Sequence, residues 1–444
     1  MKVVRGINEG KKALERGQLE NDQNNNPALI KSIERVFGEK MSPMAAVAKI
    51  LVDVRESGDE AIRRYTKLID GVESGTFEID HQQILNSAAH LPDDIRNALI
   101  RSASRVREFN SASMPKSWVD FERGFGEIIN PIERIGVYVP GGSASYPSTV
   151  LMTTIPARVA GVKEIVLCTP PSLDGTLNPS VMAAALMGNV DRIFLIGGAQ
   201  AIAAMAYGTD IVPKVDMICG PGNIFVTTAK KMVSGDVGID GLEGPTETLV
   251  IADHTASPSF CAADLLAQAE HDELATPILV TTDENLVPKI QEELSIQAES
   301  LNRRDVALAS VERTGVIVVV DSISEAVDLG NYYAPEHICL MVDQPWSIVA
   351  NIHNAGGVFL GDYSPEVMGD YVAGPSHVMP TGGSARFNSY LGVNQFLRRT
   401  PVVGLDRQLA LRLINTASTI ARAEGLDAHA RAAEIRMESV EDKS

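Results

Sequence analysis

The stretch RIGVYV at 134–139, followed at once by PGG at 140–142, sets the pattern for the chain. A short run of apolar and β-branched residues ends in proline and glycine, and a helix-prone segment follows. The same unit recurs at EIVLC (164–168), RIFLI (192–196) and VDMIC (215–219). Strands alternating with helical stretches predict a parallel sheet with helices packed over its faces. A second series lies further along, at TLVIA (248–252), PILVT (277–281), GVIVV (315–319), HICLM (337–341) and GVFL (357–360). The fold class read from this is α/β, in two parallel-sheet units.

Toward the N-terminus, up to about residue 128, the pattern is helical. AVAKILVDV at 46–54 and the run 58–68 carry apolar positions at helical spacing. The polar break QNNN at 23–26 marks off residues 1–25 as a separate arm. Residues 26–137 are grouped with 247–390 as one unit, and 138–246 form the other. Toward the C-terminus, past PTGG at 380–383, residues 391–444 are expected to be a helical tail. Its segment 407–437 is charged and Ala-rich, as in a helix that packs on a neighbour, another subunit among the options.

Composition narrows the function. The chain has 444 residues, 45% of them hydrophobic and 5% aromatic, so a large core built mainly from Ala, Val, Ile and Leu is expected. A net charge of -18 repels phosphates on average, which argues against a general nucleic-acid or anionic-membrane binder while leaving room for a local dinucleotide pocket. MKVVRGINEGKK lacks an apolar run, so no signal peptide is expected, and no stretch is apolar enough for a transmembrane helix. Cys168, Cys219, Cys261 and Cys339 are widely spaced. They read as buried free thiols of a cytoplasmic protein.

Four constellations could carry chemistry. Gln268 and His271, in LLAQAEHD, are spaced to share one helical face. The histidine suits a metal; a Gln oxygen is an unusual ligand, and a helix-surface pair is the plainer reading. Glu336 and His337 follow Pro335, which biases its predecessor away from helix and puts the pair at a turn or strand entry. A carboxylate beside an imidazole can work as a general-base unit, although adjacent strand residues ordinarily face opposite ways. The segment 361–380 is punctuated by Gly and Pro and reads as a structured loop offering Asp362, Glu366, Asp370 and His377. Glu424 and His429 flank Gly425, which ends or bends a helix; alone, they read as a solvated helix terminus.

Three glycine turns, PGGS at 140–143, GGAQ at 197–200 and GPGN at 220–223, each follow an expected strand. Their backbone amides could hold a pyrophosphate. None is a full GxGxxG, so the usual dinucleotide fingerprint is absent.

In this order, GGAQAIAA (197–204), MICGPGN (217–223), QAEH (268–271), PEH (335–337) and DYVAGPSHVMP (370–380), framed by RIGVYVPGG and the EGLDAH tail (424–429), resemble the histidinol dehydrogenase family. The resemblance spans nearly the whole chain. It implies two incomplete Rossmann-like units, with helical N- and C-terminal segments exchanged in a homodimer. It implies one zinc per subunit, held by Gln268, His271 and Asp370 of one chain and His429 of the other. Glu336 and His337 would be the acid–base pair. Thr246, His377 and Glu424 would line the substrate pocket together with the metal and acid–base residues. Tyr138, Gln200 and Asn223 would contact NAD.

The implied reaction is the four-electron oxidation of L-histidinol through L-histidinal to L-histidine, with two NAD+ reduced. Two positions depart from the family's habit. Thr246 stands where Ser is common, and Ser376 where Asn is. Both lie near the expected substrate, so two other readings stay open: a paralogue oxidising another small alcohol, such as a sulfonated propanediol, and a zinc-stabilised dimer that binds a ligand without turnover.

Overall fold

Parallel strands covered on both faces need apolar residues at every position rather than at alternate ones, and the runs above meet that demand. In the computed structural model, residues 1–16, 27–73, 76–141, 145–172 and 174–441 are described. They form two compact units. The first comprises Met1–Ser113 and Ile132–Phe396, the second Met114–Pro131 and Leu397–Ser444.

In chain order the strands are β1 (Lys2–Arg5), β2 (Trp118–Asp120), β3 (Phe125–Pro131), β4 (Arg134–Tyr138), β5 (Glu164–Thr169), β6 (Arg192–Leu195), β7 (Met217–Cys219), β8 (Gly238–Ile239), β9 (Glu247–Ala252), β10 (Thr276–Thr281), β11 (Val316–Val319), β12 (His337–Met341), β13 (Gly357–Leu360) and β14 (Leu397–Val403). The first unit holds a sheet ordered β6-β5-β4-β7-β8 and another ordered β1-β11-β10-β9-β12-β13. Every pairing in both is parallel. Apart from β1, the two share one order. The strand that opens each series lies third, its two successors lie to one side, and the chain then crosses over to the other. This is the order of a Rossmann half, and it creates a switch point between β4 and β7 and another between β9 and β12.

Two readings of the N-terminal region change. Residues 2–5 are not part of a detached arm: β1 extends the larger sheet by pairing with β11, and the helix Ile7–Ala13 packs against the helix Ile323–Tyr333. Residues 17–26, which include the polar break, lie outside the described residues. The helices between 27 and 112 pack mainly over the smaller sheet, although Asp93–Ala112 also touches the 361–380 segment, where Ser102 Oγ donates to the Tyr371 carbonyl. Helices Pro43–Ser57, His81–Ala89 and Asp93–Ala112 pack over Gly198–Tyr207, Ile224–Val233, Pro147–Ala160 and Pro179–Met187, which cover the smaller sheet. Val47, Ile50, Val54 and Ile62 enter one core with Val166, Phe194 and Ile218. Periodicity identified these helices and their buried face, but it does not say which sheet receives that face.

The second unit begins with strands, not helices. β14 pairs antiparallel with β3, and β3 with β2. Helices Arg407–Ala423 and Asp427–Glu441 follow, broken at Gly425, whose φ of 76° is left-handed. The tail read as wholly helical thus includes a ribbon strand.

Candidate active site

Four short hydrogen-bonded segments build the polar centre of the first unit. Thr246 and Glu247 stand at the amino end of β9, and Glu336 and His337 at the amino end of β12, its neighbour. Pro335 and the left-handed Ala334 (φ 54°) bend the entry to β12, so Glu336 is not yet in pleated register with His337. Both side chains therefore serve one place. Glu336 Oε2 accepts from Thr246 Oγ1 at 2.5 Å and from the Glu247 amide at 3.1 Å, and lies 3.8 Å from His337 Nδ1.

The proton on His337 follows from its partner. Nδ1 is 3.2 Å from the Glu247 carbonyl oxygen, which can only accept, so Nδ1 carries the hydrogen. Nε2 then presents its lone pair, without a hydrogen-bond partner among the described residues, 3.8 Å from Asp370 Oδ1. Burial pushes the imidazole down to about 4, so the ring is neutral near pH 7. Burial raises the Glu336 carboxyl well above its ordinary value, helped by Glu247 and Asp370 and opposed by the hydrogen bonds from Thr246 and Glu247. It raises Asp370 to about 7.

The segment 361–380 is not wholly a loop. Pro365 leads into a helix, Glu366–Tyr371, which ends at Val372. Proline at a helix start and a glutamate in the first turn are favourable there; the run of Gly and Pro masked this one good turn. The helix buries Glu366 and presents Asp370 to His337. His377 Nδ1 donates to the Asp370 carbonyl at 2.9 Å, which leaves Nε2 to accept from Thr149 Oγ1 at 3.2 Å. Ser376 is fully buried; its hydroxyl donates to Met152 O at 3.1 Å and accepts from the Val378 amide at 3.2 Å. Its side chain therefore secures the loop against the helix Pro147–Ala160. Asp362 lies outside this set of contacts.

Gln268 and His271 do not share a helical face. The helix Pro258–Ala269 ends before His271, which sits in the following turn with its amide bonded to the Gln268 carbonyl at 3.2 Å. Gln268 is buried, and His271 lies close enough to His337 and His377 to disfavour their protonation. With its amide nitrogen toward Glu366 Oε1 at 2.6 Å, Gln268 turns its oxygen to the Glu247 amide at 3.2 Å. Thr246, Gln268, His271, Glu336, His337, Asp370 and His377 are thus gathered in the first unit. Glu424, which caps the helix Arg407–Ala423, and His429, in Asp427–Glu441, belong to the second.

The residues expected at NAD lie at the carboxyl ends of the smaller sheet. Tyr138 ends β4, and its hydroxyl accepts from the Gly198 amide at 3.0 Å. Gln200 is fully buried, yet neither amide atom has a partner among the described residues. Asn223 caps the helix Ile224–Val233 by accepting from the amides of Phe225 and Val226. Gly220, with φ 109°, passes so near Tyr138 that a Cβ would stand 2.1 Å from its carbonyl oxygen, so only glycine fits. Of the turn at 140–143, residues 142 and 143 lie outside the described residues.

Three contributors escaped sequence reading: Glu247, whose carbonyl sets the His337 tautomer; Thr149, which holds His377; and Arg16, which pairs with Glu247 and also donates to Tyr333 O at 2.9 Å. A charged residue opening the otherwise apolar run ETLVIA was the one available signal.

Fold and site together define an α/β enzyme with a buried carboxylate–imidazole pair. The histidinol dehydrogenase family description matches residues 35–437. A histidinol dehydrogenase of Dehalococcoides mccartyi (strain CBDB1) is 45% identical over 99% of this chain and 100% of its own length. One from Deinococcus radiodurans is 47% identical over 92% of this chain and 94% of its own. The crystal structure of histidinol dehydrogenase from Elizabethkingia anophelis superposes with a TM-score of 0.91 at 33% identity, covering 99% of both chains. The chain belongs to the histidinol dehydrogenase family and is an oxidoreductase. Among the described residues no helix is long and apolar enough to cross a membrane.

Proposed function

We propose that this chain carries out the four-electron oxidation of L-histidinol to L-histidine through L-histidinal, using two NAD+, as the closing oxidation of histidine biosynthesis in the cytoplasm. The observation that carries the reading is the buried neutral His337, with Nδ1 tied to the Glu247 carbonyl and Nε2 bare. That arrangement suits a general base for an alcohol proton. In the first oxidation His337 accepts the carbinol proton at Nε2. In the second, Glu336 takes a proton from the water that attacks the aldehyde carbon. Its raised affinity for protons strengthens it as a base once ionised, and the Thr246 and Glu247 bonds favour that ionised form.

The donor set fits a cation. Glu336, Glu366 and Asp370 crowd one buried region, and burial raises the carboxyl pKa of each, an unfavourable state that a bound cation would relieve. Among the described residues no three His, Cys, Asp or Glu side chains form a metal-binding group. A site completed by a neutral Gln and by a second chain is compatible with that finding. We assign the zinc ligands as Gln268, His271 and Asp370, with His429 of the partner subunit in a homodimer whose C-terminal segments are exchanged. When bound, zinc supplies a Lewis acid that orients the substrate's amine and imidazole. NAD+ supplies the hydride acceptor, and the unpartnered Gln200 amide, Tyr138 and Asn223 suit its polar edges. Thr246, His377 and Glu424 complete the substrate pocket.

The experiment is an assay of zinc-loaded protein with L-histidinol and NAD+. NADH formation that is lost on chelation and restored by zinc is expected. Folded, zinc-loaded protein inert toward L-histidinol eliminates the reading.

A further inference from the structure

A second group of buried polar side chains lies apart from the acid–base centre, over the GlyGly turn that follows β6. Asp70 closes a five-residue π-helical turn, Thr66–Asp70, which continues from the helix Asp59–Tyr65 and ends at the left-handed Gly71. Such turns are rare and concentrate at functional sites. A Cβ on Gly197 would stand 3.4 Å from Asp70 Oδ1, so the carboxylate lies against that bare backbone. On the same turn, the Gly198 amide donates to Tyr138 Oη at 3.0 Å, and a Cβ on Gly198 would stand 2.8 Å from Gln200 Oε1. Three polar side chains from three separate elements thus converge on one turn.

Their hydrogen bonding is incomplete. Asp70 Oδ2 and both amide atoms of Gln200 are buried without a partner among the described residues. Leaving such groups unpaired costs free energy, and a ligand can supply the partners. The group's chemistry selects that ligand. An ionised carboxylate only accepts; the Gln amide donates and accepts; the Tyr138 hydroxyl, accepting from Gly198, keeps its own proton to donate. A pair of neighbouring hydroxyls answers all three. The place agrees, because the turn lies at the carboxyl end of the sheet, on the β4-β5-β6 side of the switch point. α/β folds hold a dinucleotide there and read its ribose with an acidic side chain. Burial raises the Asp70 carboxyl only to about 6, so it is ionised near neutral pH.

We propose that Asp70 selects the cofactor: its carboxylate accepts hydrogen bonds from the adenosine ribose diol of the dinucleotide, and its charge repels a 2′-phosphate there, so that NAD+ is taken in preference to NADP+. The inference rests on the dehydrogenase reading given above. It requires no GxGxxG segment, since the acidic residue comes from the N-terminal helices rather than from the end of a neighbouring strand.

The test is equilibrium binding of NAD+ and of NADP+ to the zinc-loaded enzyme by titration calorimetry, for wild type, Asp70→Asn and Asp70→Glu. A ratio of two affinities within one preparation is insensitive to the fraction of protein folded. Asp70→Asn should weaken NAD+ at least tenfold and narrow the NAD+/NADP+ affinity ratio at least tenfold. Asp70→Glu, keeping the charge, should retain a preference for NAD+. The same narrowing should appear in the ratio of kcat/KM values with L-histidinol. An unchanged ratio in Asp70→Asn, a wild type without preference, or loss of preference in Asp70→Glu overturns the proposal. Wild type that binds and reduces neither dinucleotide defeats the dehydrogenase reading itself. Wild type active with NAD+ alongside an unchanged Asp70→Asn defeats only the role of Asp70.

Discussion

A carbonyl oxygen decides what His337 can do. Because Glu247 O accepts from Nδ1, the basic nitrogen is Nε2, and the ring is held neutral by burial. Single buried groups of this kind also shape stability. Asp264, in the helix Pro258–Ala269, is buried with Oδ2 unpartnered among the described residues, and burial raises its carboxyl from 3.8 to about 6. The unfolded chain gives up this proton near pH 4, the folded chain near pH 6. Stability therefore falls as pH rises through that window, and the penalty is full above it. Asp264→Asn removes the penalty. Chelator-treated Asp264→Asn should exceed wild type by about 1–3 kcal/mol at pH 8, and the gain should vanish near pH 4 in denaturation curves; a gain independent of pH contradicts this. Glu336, His337 and Asp370 stand out in the sequence as polar residues beside proline and glycine. Glu247 and Thr149 do not. One acts through its backbone and the other through a hydroxyl, each on a residue far away in sequence.

Buried parallel strands announce themselves as unbroken apolar runs, and all nine strands read from the sequence are present within two residues of the expected bounds. The missed elements are β1, whose apolar run is only Val3 and Val4, and those whose sequence carries no such run. β2, β3 and β14 are antiparallel and largely exposed, β8 has two residues, and the helix Glu366–Tyr371 is a single good turn inside a Gly- and Pro-rich segment. The turn after β7 shows how an element is fixed in place. Lys230 Nζ, 1% exposed, lies 2.6 Å from Asp240 Oδ1 and 2.8 Å from Glu243 Oε2, and donates to the Gly220 carbonyl at 3.0 Å. Asp240 Oδ2 accepts from the Gly220 amide at 2.7 Å. Burial opposes the ammonium's charge, but the two carboxylates outweigh it and hold its pKa above the ordinary value. Lys230→Met strands both carboxylates. It should cost about 3 kcal/mol or more in chemical denaturation; a loss below about 1 kcal/mol would show that the cluster does not hold the turn.

In the first unit, two sheets of the same strand order are joined so that unlike ends meet. The chain leaves β8 of the smaller sheet and within a few residues enters β9 of the larger one at its amino end. The Gly244 amide donates to Thr381 Oγ1 at 2.6 Å, and Thr149, at the start of the helix after β4, reaches His377. The carboxyl ends of the smaller sheet thus adjoin the amino ends that carry Glu336 and His337. Sites in α/β folds usually lie beyond strand carboxyl ends, as the glycine turns singled out in the sequence do, while the Glu336–His337 pair read at a strand entry departs from that habit. Glu336 and His337 precede their strand instead, which only the joining of the two sheets makes sensible. The central claim is that this buried pair divides two oxidations between two residues. The direct measurement is single-turnover NADH formation by Glu336→Gln and His337→Asn, with L-histidinol and with L-histidinal in turn, on proteins of verified zinc content. His337→Asn should slow the histidinol step by about two orders of magnitude or more, and Glu336→Gln should slow the histidinal step comparably. If either variant keeps wild-type rates on both substrates, the pair is not the acid–base centre.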